Sequence, residues 1–350
     1  MSTRSLWIMG LVMGLGGLAC EGRHDGPVAT AAPEPDPTES APAPTAPEMP
    51  AAPPIQAARE QLGRMLFFEA RLSKPQTISC NSCHDLQHYG VDGRRTALGF
   101  KGRQGRRNAP SVYNAASKFR QFWDGRSPNV EAQALGPIVS PAEMASTPQR
   151  VLATLRSMPE YVERFGQAFP GDPNPVSFAN VGRAIGAFER RLVTTSRWDR
   201  FLKGERDALT AAEKQGMKVF YGVGCALCHF GPQVGAASFQ KVGRIQAWPN
   251  QADQGRFELT GSEEDRMVFQ VPSLRNVTHT APYFHDGSAA TLDEAIRMMG
   301  RYQLGTELAT GDVAAIKVFL ESLSGELPKD LIARPHLPAS TAGTPGPEQE

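Results

Sequence analysis

The most reactive side chains of the sequence fall into two pentapeptides of one pattern, Cys80-Asn81-Ser82-Cys83-His84 and Cys225-Ala226-Leu227-Cys228-His229. Two thiols at this separation can add across the vinyl groups of a haem, and the imidazole that follows then lies beneath the iron as its proximal ligand. Zinc sites and dithiol redox pairs also use Cys-x-x-Cys. Neither needs a histidine directly after the second cysteine, and here that histidine occurs in both copies. The whole chain has only five cysteines and seven histidines, which makes chance repetition remote. Cys20 alone is left over, so no pair remains for a structural disulfide. The expectation is two covalently bound haem c groups, and therefore an exported redox protein.

The sixth iron ligand decides what each haem can do. A methionine opposite the histidine raises the potential and suits electron transfer, whereas an open position admits a small oxidant. After the second motif, Met298 and Met299 share one helical stretch, and either could reach iron. Arbitrary methionines in a helix are more often core residues. Met217 lies too close before Cys225 to cross the haem.

Such motifs need rigid elements to hold them, and the body of the chain is patterned for helices. Ile55 to Phe68 carries Leu62, Met65 and Leu66 at helical spacing. Thr147-Pro148 reads as N-cap and first helical residue of a second helix, through Val151, Leu152 and Leu155. Ser177 to Val193 continues in the same way with Phe178, Val181, Ile185 and Phe188. Thr210-Ala211-Ala212-Glu213 is a capping box opening a helix that ends just before Cys225. Thr291 to Tyr302 and Gly311 to Leu323 complete the set. Alternating strand patterns are few. Each half runs helix, haem motif, long irregular stretch, further helices. The fold class is mainly α, as two cytochrome c-like domains, 55–200 and 201–330.

Outside that body the composition changes. Arg4, the apolar run Leu6 to Leu18 and then Ala19-Cys20 read as a signal peptide over residues 1–20, too short to span a bilayer as a helix. Leu18-Ala19-Cys20 fits a lipoprotein cleavage site, with Gly17 where a large aliphatic residue is usual, so a lipid anchor at Cys20 and a periplasmic location are expected. Residues 21–54 are rich in Pro and Ala and read as a disordered tether; 331–350 reads as a disordered tail. A formal net charge of +1 gives no reason to expect nucleic acid or a membrane surface as partner.

The stretches around these motifs resemble the bacterial dihaem cytochrome c peroxidases. Gln121-Phe122-Trp123-Asp124-Gly125-Arg126, Val271-Pro272-Ser273-Leu274-Arg275-Asn276 and Ala281-Pro282-Tyr283-Phe284-His285-Asp286-Gly287 carry the likeness, with Ser79–His84 and Pro141–Met144. It covers about residues 55 to 330. The resemblance implies a role for each matched residue. His229 and Met299 would ligate the high-potential haem that accepts electrons, and His84 the low-potential, peroxidatic haem. Trp123 would lie between the haems. Gln133 and Glu143 would sit over the peroxidatic iron, with Glu143 shuttling a proton between the peroxide oxygens. His285 would contact haem. Asn108, with the carbonyls of Thr280 and Pro282, would bind calcium, a hard cation suited to oxygen ligands. Without the resemblance, Glu143 reads as a surface carboxylate after Pro141 and Trp123 as a buried aromatic.

The implied activity is reduction of hydrogen peroxide to water, with electrons from a small cytochrome c or cupredoxin, in a homodimer. The sequence departs from the family at one point. Many members close the peroxidatic haem with a distal histidine, and that position is Phe100 here. No other histidine lies between His88 and His229. Phe cannot ligate iron, so an open haem is expected, on a loop made mobile by Gly99, Gly102 and Gly105. Two other functions fit the same scaffold: the MauG-like dihaem oxidases, which modify aromatic side chains of a partner protein, and a dihaem electron carrier. A carrier has no use for Gln133 and Glu143. The best-known oxidases carry Tyr where this chain has Met299.

Overall fold

The computed structural model describes residues 54–348. The signal peptide with Cys20, and the tether up to residue 53, lie outside the described residues. Eleven α-helices lie among them. They are α1 (Pro54–Phe67), α2 (Val130–Val139), α3 (Pro148–Arg156), α4 (Pro159–Ala168), α5 (Phe178–Glu189), α6 (Arg197–Leu202), α7 (Ala211–Gly222), α8 (Phe257–Thr260), α9 (Leu292–Met298), α10 (Thr310–Glu321) and α11 (Lys329–Ile332). Two three-residue strands, β1 (Phe239–Lys241) and β2 (Val268–Gln270), pair antiparallel, Phe239 opposite Gln270. The protein is mainly helical.

The expected helix starts are set by their caps. The Thr147 side chain accepts from the Arg150 N–H at the start of α3, and Thr210 and Glu213 close a reciprocal box on α7, at 2.8 and 3.2 Å. Helix α2 has a strong start but an unpromising interior. Asn129 caps it, while Gly136 and Pro137 interrupt it near its end.

Buried apolar residues gather mainly into two clusters. The first joins Leu62, Leu66 and Phe67 of α1 to Val181, Ile185 and Phe188 of α5, with Leu155, Tyr161 and Phe165 of α3 and α4. The second joins Met217 and Phe220 of α7 to Val313, Ile316, Phe319 and Leu320 of α10, with Trp198. Both rest on the same device. A Cβ at Gly63 would lie 1.8 Å from the Ala184 carbonyl oxygen, and one at Gly216 would lie 2.0 Å from that of Ala315. Glycine is the residue that lets α1 cross α5, and α7 cross α10, at backbone contact.

The repetition extends to the irregular segments. Pro110-Ser111-Val112-Tyr113-Asn114 matches Pro272-Ser273-Leu274-Arg275-Asn276, and both asparagines are left-handed, at φ 58° and 59°. Phe122-Trp123-Asp124-Gly125 matches Phe284-His285-Asp286-Gly287, each closed by a bridge, Gln121 to Ser127 and Tyr283 to Ala289. Trp123 and His285 are thus equivalent positions of the two halves. Between the halves, the buried hydroxyl of Thr194 accepts from Asn114 at 2.9 Å and from Asn276 at 3.0 Å.

The expected disordered tail is instead an ordered strap on the first cluster. Leu327, Leu331, Ile332 and Leu337 pack against that cluster. Arg64 donates to the Ala333 carbonyl at 2.8 Å, Arg71 to that of Pro338 at 2.8 Å and Gln76 to that of Pro345 at 2.7 Å. Glu348 pairs with Arg150, and its N–H donates to the Lys74 carbonyl at 3.0 Å. The composition misleads for a physical reason. An extended Pro-rich segment spends no carbonyls on its own secondary structure, so they remain for side chains of another element.

Candidate functional site

Two cavities lie side by side in this body, and each contains one Cys-x-x-Cys-His motif. The motif segments are single 3-10 turns, Cys80–Ser82 and Cys225–Leu227. In both, the histidine N–H donates back to the carbonyl of the first cysteine, at 2.9 and 3.0 Å, which brings thiols and imidazole to one wall. The first cavity, about 530 Å³, is lined by Cys80, Cys83, His84, Gln133 and Glu143. The second, about 240 Å³, is lined by Cys225, Cys228, His229, His285 and Met299, and by Asn108, Thr280 and Pro282. The residues to which the resemblance gives a haem, catalytic or calcium role therefore line one cavity or the other, whereas Met298 and Phe100 line neither. Trp123, Asn108, Pro110, Lys118, Gln270 and Pro272 line both and form the dividing wall.

The donor chemistry fits haem. All four motif cysteines are free. Burial pushes the Cys83 and Cys225 thiols up to about 11, so they stay neutral, a form compatible with an apolar wall. Burial pulls His229 down to about 4, and His84 down as well, against the raising effect of nearby carbonyls. A neutral imidazole is the form that ligates metal. His84 Nδ1 lies 3.3 Å from the Gly90 carbonyl oxygen, which fixes the ring and leaves Nε2 to the cavity. Nδ1 of His229 and Nε2 of His285 are buried without a hydrogen-bond partner among the described residues.

The structure separates the two methionines. Both pack against a small third cluster with Trp248 and Phe269, but of the two it is Met299 that lines the cavity of His229. Met299 also opens a six-residue π-helical turn, Met299–Leu304, directly after α9. Widened turns of this kind are rare and concentrate at functional positions. Nothing in the local pattern announces it, because its residues keep helical spacing.

In the wall, the Trp123 indole donates to the Asn108 carbonyl at 3.0 Å. The His285 ring, almost fully buried, stacks on Phe269 at 4.1 Å between centroids. The Asn108 side-chain N–H donates to the Arg94 carbonyl at 3.0 Å, leaving its oxygen free of that bond. Arg107 bridges the halves, reaching Asp124 at 2.6 Å and Asp253 at 2.5 Å.

Over the first cavity, α2 presents Gln133, and the loop after it presents Glu143. Burial raises the Glu143 carboxyl above its ordinary value, and the charge of Arg126 and a bond from Ser140 only partly offset this. His84 is the one histidine lining this cavity among the described residues. Met144 also lines it but is packed into the first core. His88 is exposed and bonded to Asp85 at 2.7 Å. Phe100 itself does not line the cavity, although Ala97, Leu98 and Gly99 do. The loop is also less free than its glycines suggest. Phe100 is buried, its N–H donates to the Glu143 carbonyl at 2.7 Å, and the ends close through Gly105 to Ala97 at 2.8 Å. A Cβ at Gly99 would lie 1.9 Å from the Ala142 carbonyl oxygen, so that glycine serves close approach rather than motion.

Three residues facing the cavities were not found by sequence reasoning. Arg126 stacks over the Phe122 ring, 3.4 Å from its centroid. Glu189 lies on the buried face of α5, where a charge among Val181, Ile185 and Phe188 was the available signal. Lys118 gave none.

Paired cavities, each with two thiols and a histidine, define a dihaem c-type protein built on two repeated helical halves. The chain belongs to the di-haem cytochrome c peroxidase family, whose model matches residues 57–207. It is 45% identical over 83% of its length to cytochrome c551 peroxidase of Nitrosomonas europaea, covering 87% of that protein. It is 44% identical to that of Pseudomonas aeruginosa, over 85% of this chain and 86% of the other. Among solved structures, a MauG-like protein associated with microbial copper homeostasis superposes with TM-score 0.73 at 31% identity, covering 84% of this chain and 96% of the other. The diheme peroxidase BthA of Burkholderia thailandensis shares the fold, with TM-score 0.65, 20% identity, and coverage of 80% and 90%.

Proposed function

We propose that this protein is a periplasmic dihaem cytochrome c peroxidase that reduces hydrogen peroxide to water with electrons from a small cytochrome c or cupredoxin. The observation that carries the reading is Glu143, a half-buried carboxyl with raised proton affinity, which lines the cavity of His84 together with Gln133. Cys80/Cys83 and Cys225/Cys228 would hold the two haems covalently, His84 one iron, and His229 with Met299 the other. When bound, the His84 haem supplies an open coordination position and the electrons that cleave the O–O bond.

The chain's own residues do the proton work. Glu143 takes the proton of the peroxide oxygen nearer the iron and returns it to the far oxygen, which leaves as water. Burial suits the carboxyl to both steps by bringing its proton affinity closer to working pH. Gln133 orients the peroxide by hydrogen bonding. Two electrons and two further protons complete the conversion to two waters. Trp123, lining both cavities, lies on the route from the Met299 haem to the His84 haem. Asn108 and the carbonyls of Thr280 and Pro282 would bind calcium at that junction, with water completing its shell. A lipid anchor at Cys20 and a homodimer complete the reading.

With Phe100 buried and His84 the one histidine lining that cavity among the described residues, none of these would supply a second histidine to a haem held by His84, and an open or water-bound oxidised form is expected. A low-spin bis-histidine spectrum of the fully oxidised protein would refute that. The functional test is steady-state peroxide turnover with reduced cytochrome c, on protein never pre-reduced. Immediate turnover is expected. The likeness to a MauG-like protein favours one second reading, a protein-modifying oxidase. Peroxide consumption without cytochrome oxidation would select it, and absence of both reactions would leave an electron carrier.

A further inference from the structure

One charge in the dividing wall has no task in this chemistry. Of the basic residues lining the cavities, Arg106 pairs with Glu258, Arg107 with Asp124 and Asp253, Arg126 with Asp124, and Arg275 with Asp199. Lys241 is exposed. Lys118 is different. It is half-buried, lines both cavities, and has no carboxylate within 4.0 Å among the described residues. Its single hydrogen bond is a long one, 3.4 Å to the Ser111 carbonyl. Glu189 shares the first cavity and its charge favours the ammonium, but burial pushes the Glu189 carboxyl up to about 8 and pulls Lys118 down to about 8, so the pair does not hold both charges fully near neutral pH without a further anion.

An ammonium drawn partly out of water with one weak acceptor is costly unless an anion completes its shell. Its field acts on first-cavity groups, His84 and Glu189. We propose that Lys118 is the binding site for a propionate of the haem held by Cys80, Cys83 and His84, and that its charge helps set that haem's potential. The inference rests on the dihaem reading. A cation close to a haem disfavours the ferric state, so Lys118 keeps the potential of the His84 haem higher than the cavity alone would give.

The test is a spectroelectrochemical titration of wild type, Lys118→Gln and Lys118→Arg, after covalent haem is counted by mass. Wild type without two haems would refute the dihaem reading itself. With both haems loaded, K118Q is expected to shift the ferric-to-ferrous ratio of the His84 haem about tenfold toward ferric at fixed potential, or 59 mV for a one-electron couple. The Met299 haem should move less, and K118R should stay near wild type. Unshifted potentials in K118Q, or an equal shift in K118R, would overturn the proposal. If K118Q fails to load haem, retained loading in K118R supports a cation–carboxylate contact, and loss in both overturns it.

Discussion

In the proposed mechanism a single carboxyl, that of Glu143, carries the proton between the peroxide oxygens. Glu143→Gln keeps shape but cannot carry a proton, so peroxide turnover should fall by about 10²-fold or more with both haem spectra unchanged. Turnover within a fewfold of wild type would remove Glu143 from the chemistry. Its pH dependence follows from the raised affinity. The base form takes the first proton, so the acid limb of the rate should lie above the ordinary glutamate value of 4.5, and activity should fall as pH drops through it. At this scale the sequence was most legible where several residues form one phrase, as in Gln121–Arg126. Lys118 could not be read, because one lysine between Ser117 and Phe119 carries no period or spacing, and its meaning comes only from two cavities meeting there.

At the scale of elements, caps and amphipathic spacing made α1, α3, α5, α7, α9 and α10 legible. Helix α2 was not, because Gly136 and Pro137 contradict its helical spacing, yet it carries Gln133. The strap was misread because its order comes from partners far away in the chain. Its central anchor is Arg71, which also holds buried Glu69 at 2.6 Å, with the Tyr161 hydroxyl donating to Glu69 at 2.7 Å. Burial works to raise Glu69, but Arg71 and Tyr161 outweigh it and hold the carboxyl low. Arg71→Ala leaves that charge with two neutral donors, the Tyr161 hydroxyl and the backbone N–H of residue 71, and frees the strap. A loss of about 3 kcal/mol is expected, read as a lower Tm, together with early proteolytic cleavage beyond residue 332. A strap as protected as in wild type would contradict the anchoring.

Across the whole molecule, the two halves are joined by Arg107 between Asp124 and Asp253. Burial alone would raise both carboxyls, but Arg107 lowers them below the ordinary aspartate value of 3.8. Groups lowered in the folded state add stability above that value and lose it as pH falls through their folded values. Thermal melts from pH 7 to 3 should therefore show acid destabilisation that is blunted in Arg107→Met, itself less stable at pH 7. Parallel curves for the two proteins would show that the joint contributes nothing to acid sensitivity. The repeat explains why so much of this level could be read: one plan, written twice, has to be recognised only once.

The strap also ties the order of synthesis to the order of assembly. The surface around α1, α3 and α4 is completed by residues 333–348, which are made after every residue of the second cluster. Cys80 and Cys83 are made early, while the half that surrounds them still lacks its last layer. In the proposed dihaem protein, attachment at that motif would have an interval in which the chain is present but its fold is unfinished, and the second motif a shorter one.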